Sequence, residues 1–169
     1  MIQDPLKAVL SKIRCIVLDV DGVLTDGAIY FGENGECTKV FNTKDGYILM
    51  RMVAMGYHVA LLSGGRSPII MQRAKALSIP HVFAEVREKL PVFNQFIKDL
   101  SLSPSEVAYM GDEYIDIPVL KEVGCAACPN DAIPQVKAIC NFIAEHNGGR
   151  GAVRELCDAI LEAQNKCVI

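Results

Sequence analysis

Apolar residues along this chain fall in short, nearly unbroken runs, at 15–20, 57–62, 81–84, 107–110, 125–128 and 141–144. A strand that is apolar throughout is one buried on both faces, as in a parallel sheet covered by helices. Helix-like segments lie between the runs, at 45–55, 67–77, 89–100, 117–123, 134–138 and 152–165. The N-terminal MIQDPLKAVLSKI predicts one more short helix. Ser67-Pro68 is a helix-start signal, and Ser103-Pro104-x-Glu106 a similar one that opens only a short turn. This strand–helix alternation predicts the α/β class with a central parallel sheet. One piece breaks it. Residues 28–31 and 38–41 flank GENGEC, where Asn34-Gly35 is a hairpin signal, so a β-hairpin is expected to be inserted over 28–41. There are no repeats and no linker, and the whole of 1–169 is expected to form one domain.

The interest of the pattern lies in how the strands end. The first runs into Asp19 and Asp21, the second into Ser63-Gly64-Gly65-Arg66, and VAYM into Gly111-Asp112-Glu113 with Asp116 beyond; Lys89 opens the helix after HVFA. In open parallel sheets ligands bind beyond the C-terminal strand ends, so these groups are expected to share one crevice. Two carboxylates one residue apart repel each other unless a cation or a proton relieves them. Clustered carboxylates suit Mg²⁺. A hydroxyl, backbone amides and a lysine suit phosphate oxygens, and a carboxylate in line with phosphorus can act as nucleophile. Each of these acids could also serve only as a turn former or helix cap; their convergence separates the two readings.

Composition narrows the classes. About half of the residues are apolar, as in a globular protein, and the formal charge of −3 offers no basic patch for nucleic acid. No apolar run approaches the length of a membrane span, and the N-terminus lacks the pattern of a signal peptide, so a cytoplasmic location is expected. The seven cysteines are an odd number without framework spacing, which predicts reduced thiols. Cys125 and Cys128 form a C-x-x-C without a second ligand pair and are expected to be buried thiols.

The stretch Asp19-x-Asp21-Gly22-Val23-Leu24-Thr25, with Ser63, Lys89 and Gly111-Asp112-x-x-x-Asp116 following in order, resembles the four motifs of the haloacid dehalogenase superfamily. The resemblance implies a Rossmann-like three-layer sandwich and a phospho-aspartyl enzyme. Asp19 would attack phosphorus. Asp21 would protonate the leaving alcohol and then activate water. Asp19, Asp112 and the Asp21 backbone carbonyl would hold Mg²⁺, and Ser63 and Lys89 the phosphoryl oxygens. Asp116 would support Asp112 or Lys89 from behind. The gaps between motifs hold no cap domain, and a capless member needs a large substrate or a neighbouring subunit to complete its pocket.

The stretches DVDGVLTDGAIYFGENGE, KVFNTKDGY, AYMGDEYIDIPVL and GGRGAVREL narrow the resemblance to the 3-deoxy-D-manno-octulosonate 8-phosphate phosphatase family. It implies a capless homotetramer whose hairpins form a central barrel, acting in lipopolysaccharide precursor biosynthesis on a small phosphorylated sugar acid. By position it implies substrate contacts from Asp21, Asn42, Thr43, Lys44, Asp45, Gly46, Gly64, Arg66, Arg73, Lys89 and Arg150. In the C-terminal tail, about 146–169, the glycine-rich Gly148–Gly151 is either a helix-entry loop or, as expected here, a mobile stretch that carries Arg150 towards a neighbour's pocket. Two departures stand out: the family's T-G-R reads Ser63-Gly64-Gly65-Arg66, which displaces the arginine by one, and a family arginine falls on Met50, beside Arg51. A nine-carbon 2-keto sugar acid 9-phosphate is therefore an alternative substrate, and a catalytically silent oligomerisation module an alternative role. A receiver domain shares the phospho-aspartate chemistry but not the D-x-D spacing or the Asp112/Asp116 pair.

Overall fold

The computed structural model describes residues 4–34, 37–65 and 68–167. Helix α1 (Asp4–Leu10) leads into β1 (Cys15–Leu18). A small ribbon of β2 (Tyr30–Phe31) and β3 (Cys37–Thr38) follows, then α2 (Thr43–Ala54), β4 (His58–Leu62), α3 (Pro68–Ala76) and β5 (His81–Phe83). The second half runs α4 (Lys89–Asp99), β6 (Val107–Met110), α5 (Ile117–Leu120), β7 (Cys125–Cys128), α6 (Pro134–Lys137), β8 (Phe142–Ile143) and α7 (Ala152–Ala163). The main sheet is parallel in the order β5-β4-β1-β6-β7-β8.

Alternate residues of β1 serve two cores. Ile16 and Leu18 face a layer built by Leu10 of α1, Ile48 and Met52 of α2, Ile70 of α3 and Leu156 and Ile160 of α7. Cys15 and Val17 face Phe93 and Ile97 of α4, Val119 of α5 and Val136 of α6. The expected three-layer arrangement is therefore present, with helices on both faces of the sheet. Among the described residues no further domain stands over the strand ends.

The hairpin is smaller than expected. Among the described residues, strand pairing in the hairpin is Tyr30 opposite Thr38 and Phe31 opposite Cys37. Ile29, Tyr30, Phe31 and Val40 are exposed, so no core straightens 28–29 and 39–41 into strand. Gly35 and the Ser67 start signal lie outside the described residues. The expected mobile tail is corrected. A Cβ on Gly148 would lie 1.8 Å from the Gly22 carbonyl oxygen, so GGRG packs directly on the loop after β1. Beyond it the apolar face of α7 is buried in the core, which fixes the segment.

Candidate active site

The order β4-β1-β6 puts the ends of three strands side by side, and the order of the sheet reverses around β1. The Asp19 amide donates to Met110 O at 3.0 Å, the last rung between β1 and β6. The chain then turns tightly: Leu24 and Thr25 both donate to Val20 O, and Gly22 takes φ +83°. A Cβ on Gly22 would sit 2.0 Å from Asp112 Oδ2, so only glycine lets the β6 carboxylate close against the first loop. Gly111 does the same service for Asp116, whose Cγ would be 2.4 Å from its Cβ.

Asp19 is 6% exposed. Its Oδ1 accepts the Val20 amide at 2.7 Å, and its Oδ2 lies 2.9 Å from Lys89 Nζ. Lys89, the first residue of α4, is buried and reaches Asp116 Oδ1 at 2.7 Å. Asp116 is fully committed: Oδ1 also accepts the Tyr109 hydroxyl at 2.5 Å, and Oδ2 accepts the amides of Asp112 at 3.0 Å and Glu113 at 3.1 Å. Asp112 differs. Its Oδ1 is buried and has no hydrogen-bond partner among the described residues. Oxygens of Asp19, Asp112 and Asp116 all lie within 4.8 Å of one another.

Three carboxylates with one ammonium hold surplus negative charge, and Asp19 and Asp112 bind their protons more tightly for it. Burial, and then Asp116, push Asp19 up to about 6, against the pull of Lys89. Burial, and then Asp19 and Asp116, push Asp112 up to about 8. Tyr109 is raised by burial and by Asp116, so it stays a hydroxyl donor. An unpartnered buried carboxylate oxygen facing a second acid is what a hard divalent cation replaces well. The donor set fits Mg²⁺ held by Asp19 and Asp112. Asp116, with its lone pairs spent on four donors, positions Lys89 and the Asp112 loop instead.

Asp19, Asp21, Gly22, Ser63, Gly64, Gly65 and Asp112 line one cleft of about 320 Å³. Ser63 is buried, and its hydroxyl accepts the Gly65 amide at 3.1 Å, which shapes a turn around the cleft. The geometry thus joins two carboxylates from the loop after β1, a hydroxyl, loop amides and, buried against Asp19, a lysine. Sequence reasoning overlooked Lys39, whose ammonium pairs with Asp21 Oδ1. Local pattern does not mark it: Lys39 is a single charge in the run TKVFN, and its pairing with Asp21 depends on how the ribbon folds back.

The other expected substrate contacts are not among the described residues lining that cleft. Asn42 caps α2, accepting the Lys44 amide at 2.8 Å and donating to Gly149 O at 3.3 Å. Thr43 and Lys44 are exposed at the start of α2. Asp45 is corrected as a side-chain contact: its oxygens accept the Gly151 and Arg154 amides at 3.2 and 2.7 Å, capping α7 from a buried position. Gly46 makes room for Arg73, whose Nη2 would be 2.3 Å from a Cβ there. Arg73 donates to Asn42 O at 3.1 Å, and its guanidinium lies 5.3 Å from the Phe41 ring centroid. Arg150 pairs with Asp26 at 3.0 Å on the surface. Lys44 and Arg150 instead line a separate groove along α7 with His146 and Arg154. Arg66 lies outside the described residues.

Comparison with known proteins gives the family. The haloacid dehalogenase-like hydrolase family matches residues 79–156. The 3-deoxy-D-manno-octulosonate 8-phosphate phosphatase of Yersinia pestis is 40% identical over 156 residues, covering 92% of this chain and 83% of its own length. This chain belongs to that phosphatase family. The crystal structure of the Yersinia pestis enzyme superposes with a TM-score of 0.96 at 38% identity, covering 98% of this chain and 89% of that one. The enzyme of Moraxella catarrhalis, solved in complex with magnesium ion, phosphate ion and KDO, gives 0.94 at 33% identity, over 97% and 94%.

Proposed function

We propose that the chain is a Mg²⁺-dependent phosphatase that hydrolyses 3-deoxy-D-manno-octulosonate 8-phosphate to the free sugar acid and phosphate, in lipopolysaccharide precursor biosynthesis. The observation that carries this reading is the Asp19–Lys89–Asp112 cluster with its unpartnered Asp112 oxygen at the foot of the cleft. Asp19, Asp112 and the Asp21 backbone carbonyl would hold Mg²⁺, which would supply charge neutralisation for an anionic reaction. Asp19 attacks phosphorus and becomes an aspartyl phosphate. Asp21 gives its proton to the departing alcohol and takes one from the water that cleaves the aspartyl ester. Ser63, Gly64 and Lys89 hold the phosphoryl oxygens, and Lys89 keeps Asp19 aligned.

The exposed apolar hairpin supports a homotetramer built through it. Ile29, Tyr30, Phe31 and Val40 form an unpartnered ribbon that a second copy can cover. A neighbour can also bring Lys44 or Arg150, which lie outside the catalytic cleft of their own chain, towards the substrate carboxylate; Arg66 and Arg73 are the further candidates. A cytoplasmic location accords with the reduced cysteines, and no helix among the described residues is long and apolar enough to cross a membrane.

A nine-carbon sugar-acid 9-phosphate is the second reading. It is favoured by Met50, 39% exposed on α2 where the family carries arginine, and by the displaced Arg66. Phosphate release with Mg²⁺ from the eight-carbon ester, the two nine-carbon esters and a hexose phosphate decides between them, with Asp19→Asn as control. Preference for the eight-carbon ester is expected. Preference for a nine-carbon ester shifts the assignment, and no turnover of any ester overturns it.

A further inference from the structure

Asp21 is the less buried of the two acids after β1, with its side chain 34% exposed, yet its partner is almost entirely enclosed. The Lys39 side chain is only 5% exposed and its ammonium is paired with Asp21 Oδ1. Lys39 follows β3 directly, so the return strand of the hairpin delivers it. The pairing uses one oxygen of Asp21. The other, Oδ2, points to the cleft: a Cβ on Gly65 would lie 3.0 Å from Asp21 Oδ2, 3.5 Å from the Ser63 hydroxyl and 3.8 Å from Lys39 Nζ. Carboxylate, hydroxyl and ammonium therefore converge on the Gly65 backbone at the cleft rim.

We propose that Lys39 is a positioning residue for the phosphatase reaction: by holding Asp21 Oδ1 it fixes Oδ2 as the oxygen that serves the leaving group. This rests on the phosphatase reading above. In the first half-reaction a bond forms between Asp19 and phosphorus, the bond from phosphorus to the ester oxygen breaks, and that oxygen takes the proton carried by Asp21. The carboxylate left behind finds the Lys39 ammonium already beside it. Without that anchor a half-exposed carboxylate on a turn samples several rotamers, and few of them meet the ester oxygen. The hairpin thereby becomes part of the catalytic apparatus, because its seating sets the position of Nζ.

The test uses two phosphomonoesters. An alkyl ester, such as the sugar-acid phosphate, needs a proton on its leaving oxygen; p-nitrophenyl phosphate departs as a stable phenolate and needs almost none. Lys39→Met is expected to lower kcat for the alkyl ester by about 10- to 100-fold, part of the general-acid contribution. The ratio of alkyl to aryl kcat falls by at least about tenfold, and Lys39→Arg restores part of it. Acting through Asp21, Lys39→Met costs less than about threefold in an Asp21→Asn background, where no proton donor remains to be aligned. An equal fall on both esters, or a full additional loss in the Asp21→Asn background, overturns the proposal. So does an unchanged ratio in Lys39→Met or, if the methionine variant misfolds, in the neutral Lys39→Gln. Wild-type protein that hydrolyses neither ester refutes the phosphatase reading itself, a distinct outcome.

Discussion

Asp116→Asn is the substitution for which the geometry yields a number. Asp116 accepts four hydrogen bonds, from Lys89, Tyr109 and the amides of Asp112 and Glu113. Asparagine keeps the shape but offers one acceptor oxygen and one NH₂ group. If the oxygen faces the two amides, the NH₂ group faces the Lys89 ammonium and Tyr109; if it is flipped, the NH₂ group faces two backbone N–H groups. Either way two buried donors lose their acceptor, at about 1–3 kcal/mol each. Tyr109 can turn its hydroxyl to accept from the amide, which favours the first orientation and lowers the cost. The expected loss is about 2–5 kcal/mol, a large share of a stability of about 5–15 kcal/mol. Urea unfolding followed by circular dichroism measures it, in chelator and again in saturating Mg²⁺. The Mg²⁺ increment, about 2.7 kcal/mol at 100 times the dissociation constant, is expected to survive in the variant, because Asp116 positions the site and is not a ligand. A variant that keeps its metal-free stability but loses the Mg²⁺ increment would refute this reasoning and make Asp116 a ligand.

Three other outcomes are expected. Gly22→Ala sets a methyl group against Asp112 at a left-handed φ, so the Mg²⁺ concentration for half-maximal activity rises by about 10–100-fold; an unchanged Mg²⁺ dependence contradicts the close approach. Metal-free protein loses stability as pH rises, because Asp19 and Asp112 are raised from 3.8 to about 6 and about 8: the folded state binds more protons than the unfolded between these limits, so their contribution is complete below pH 4 and lost by about pH 8. Urea midpoints in chelator at pH 5.5 and 8 test this, with the higher midpoint expected at pH 5.5. Phe31→Asp, at a residue 74% exposed, dissociates the proposed oligomer in sedimentation velocity without lowering the melting temperature of the monomer; an unchanged sedimentation coefficient argues against the hairpin interface.

What could be read from sequence follows from what local pattern encodes. VAYM and CAAC are strands at the expected residues because central parallel strands are apolar on both faces, which leaves a run with clear ends. The hairpin was overestimated because Asn-Gly signals a turn but says nothing about a core for its arms. The strand-end acids were legible because the rule that ligands sit beyond parallel strands needs only the strands. Long-range pairings were not legible. Asp45 looks like a loop acid until α7, more than a hundred residues later, presents its amides. Lys39 looks like a solvated charge until the ribbon folds back on Asp21. Neither partner shares a periodicity with the residue it meets.

The same electrostatics links the metal, the retained protons and the two lysines. Asp19, Asp112 and Asp116 crowd into a few ångströms and share Lys89, so the site carries more negative charge than it can hold in a desolvated cleft. Protons relieve the excess in metal-free protein: burial, and then the neighbouring carboxylates, raise Asp112 to about 8 and Asp19 to about 6. A divalent cation relieves it in working protein, and its binding must expel those protons, so Mg²⁺ affinity rises with pH up to about 8. Asp21 stands outside this trio with its own cation, Lys39. In the proposed mechanism that separation leaves Asp21 to exchange a proton with the leaving group while Asp19, two residues earlier, attacks phosphorus. Two acids one residue apart can then divide the labour because each faces a different positive charge.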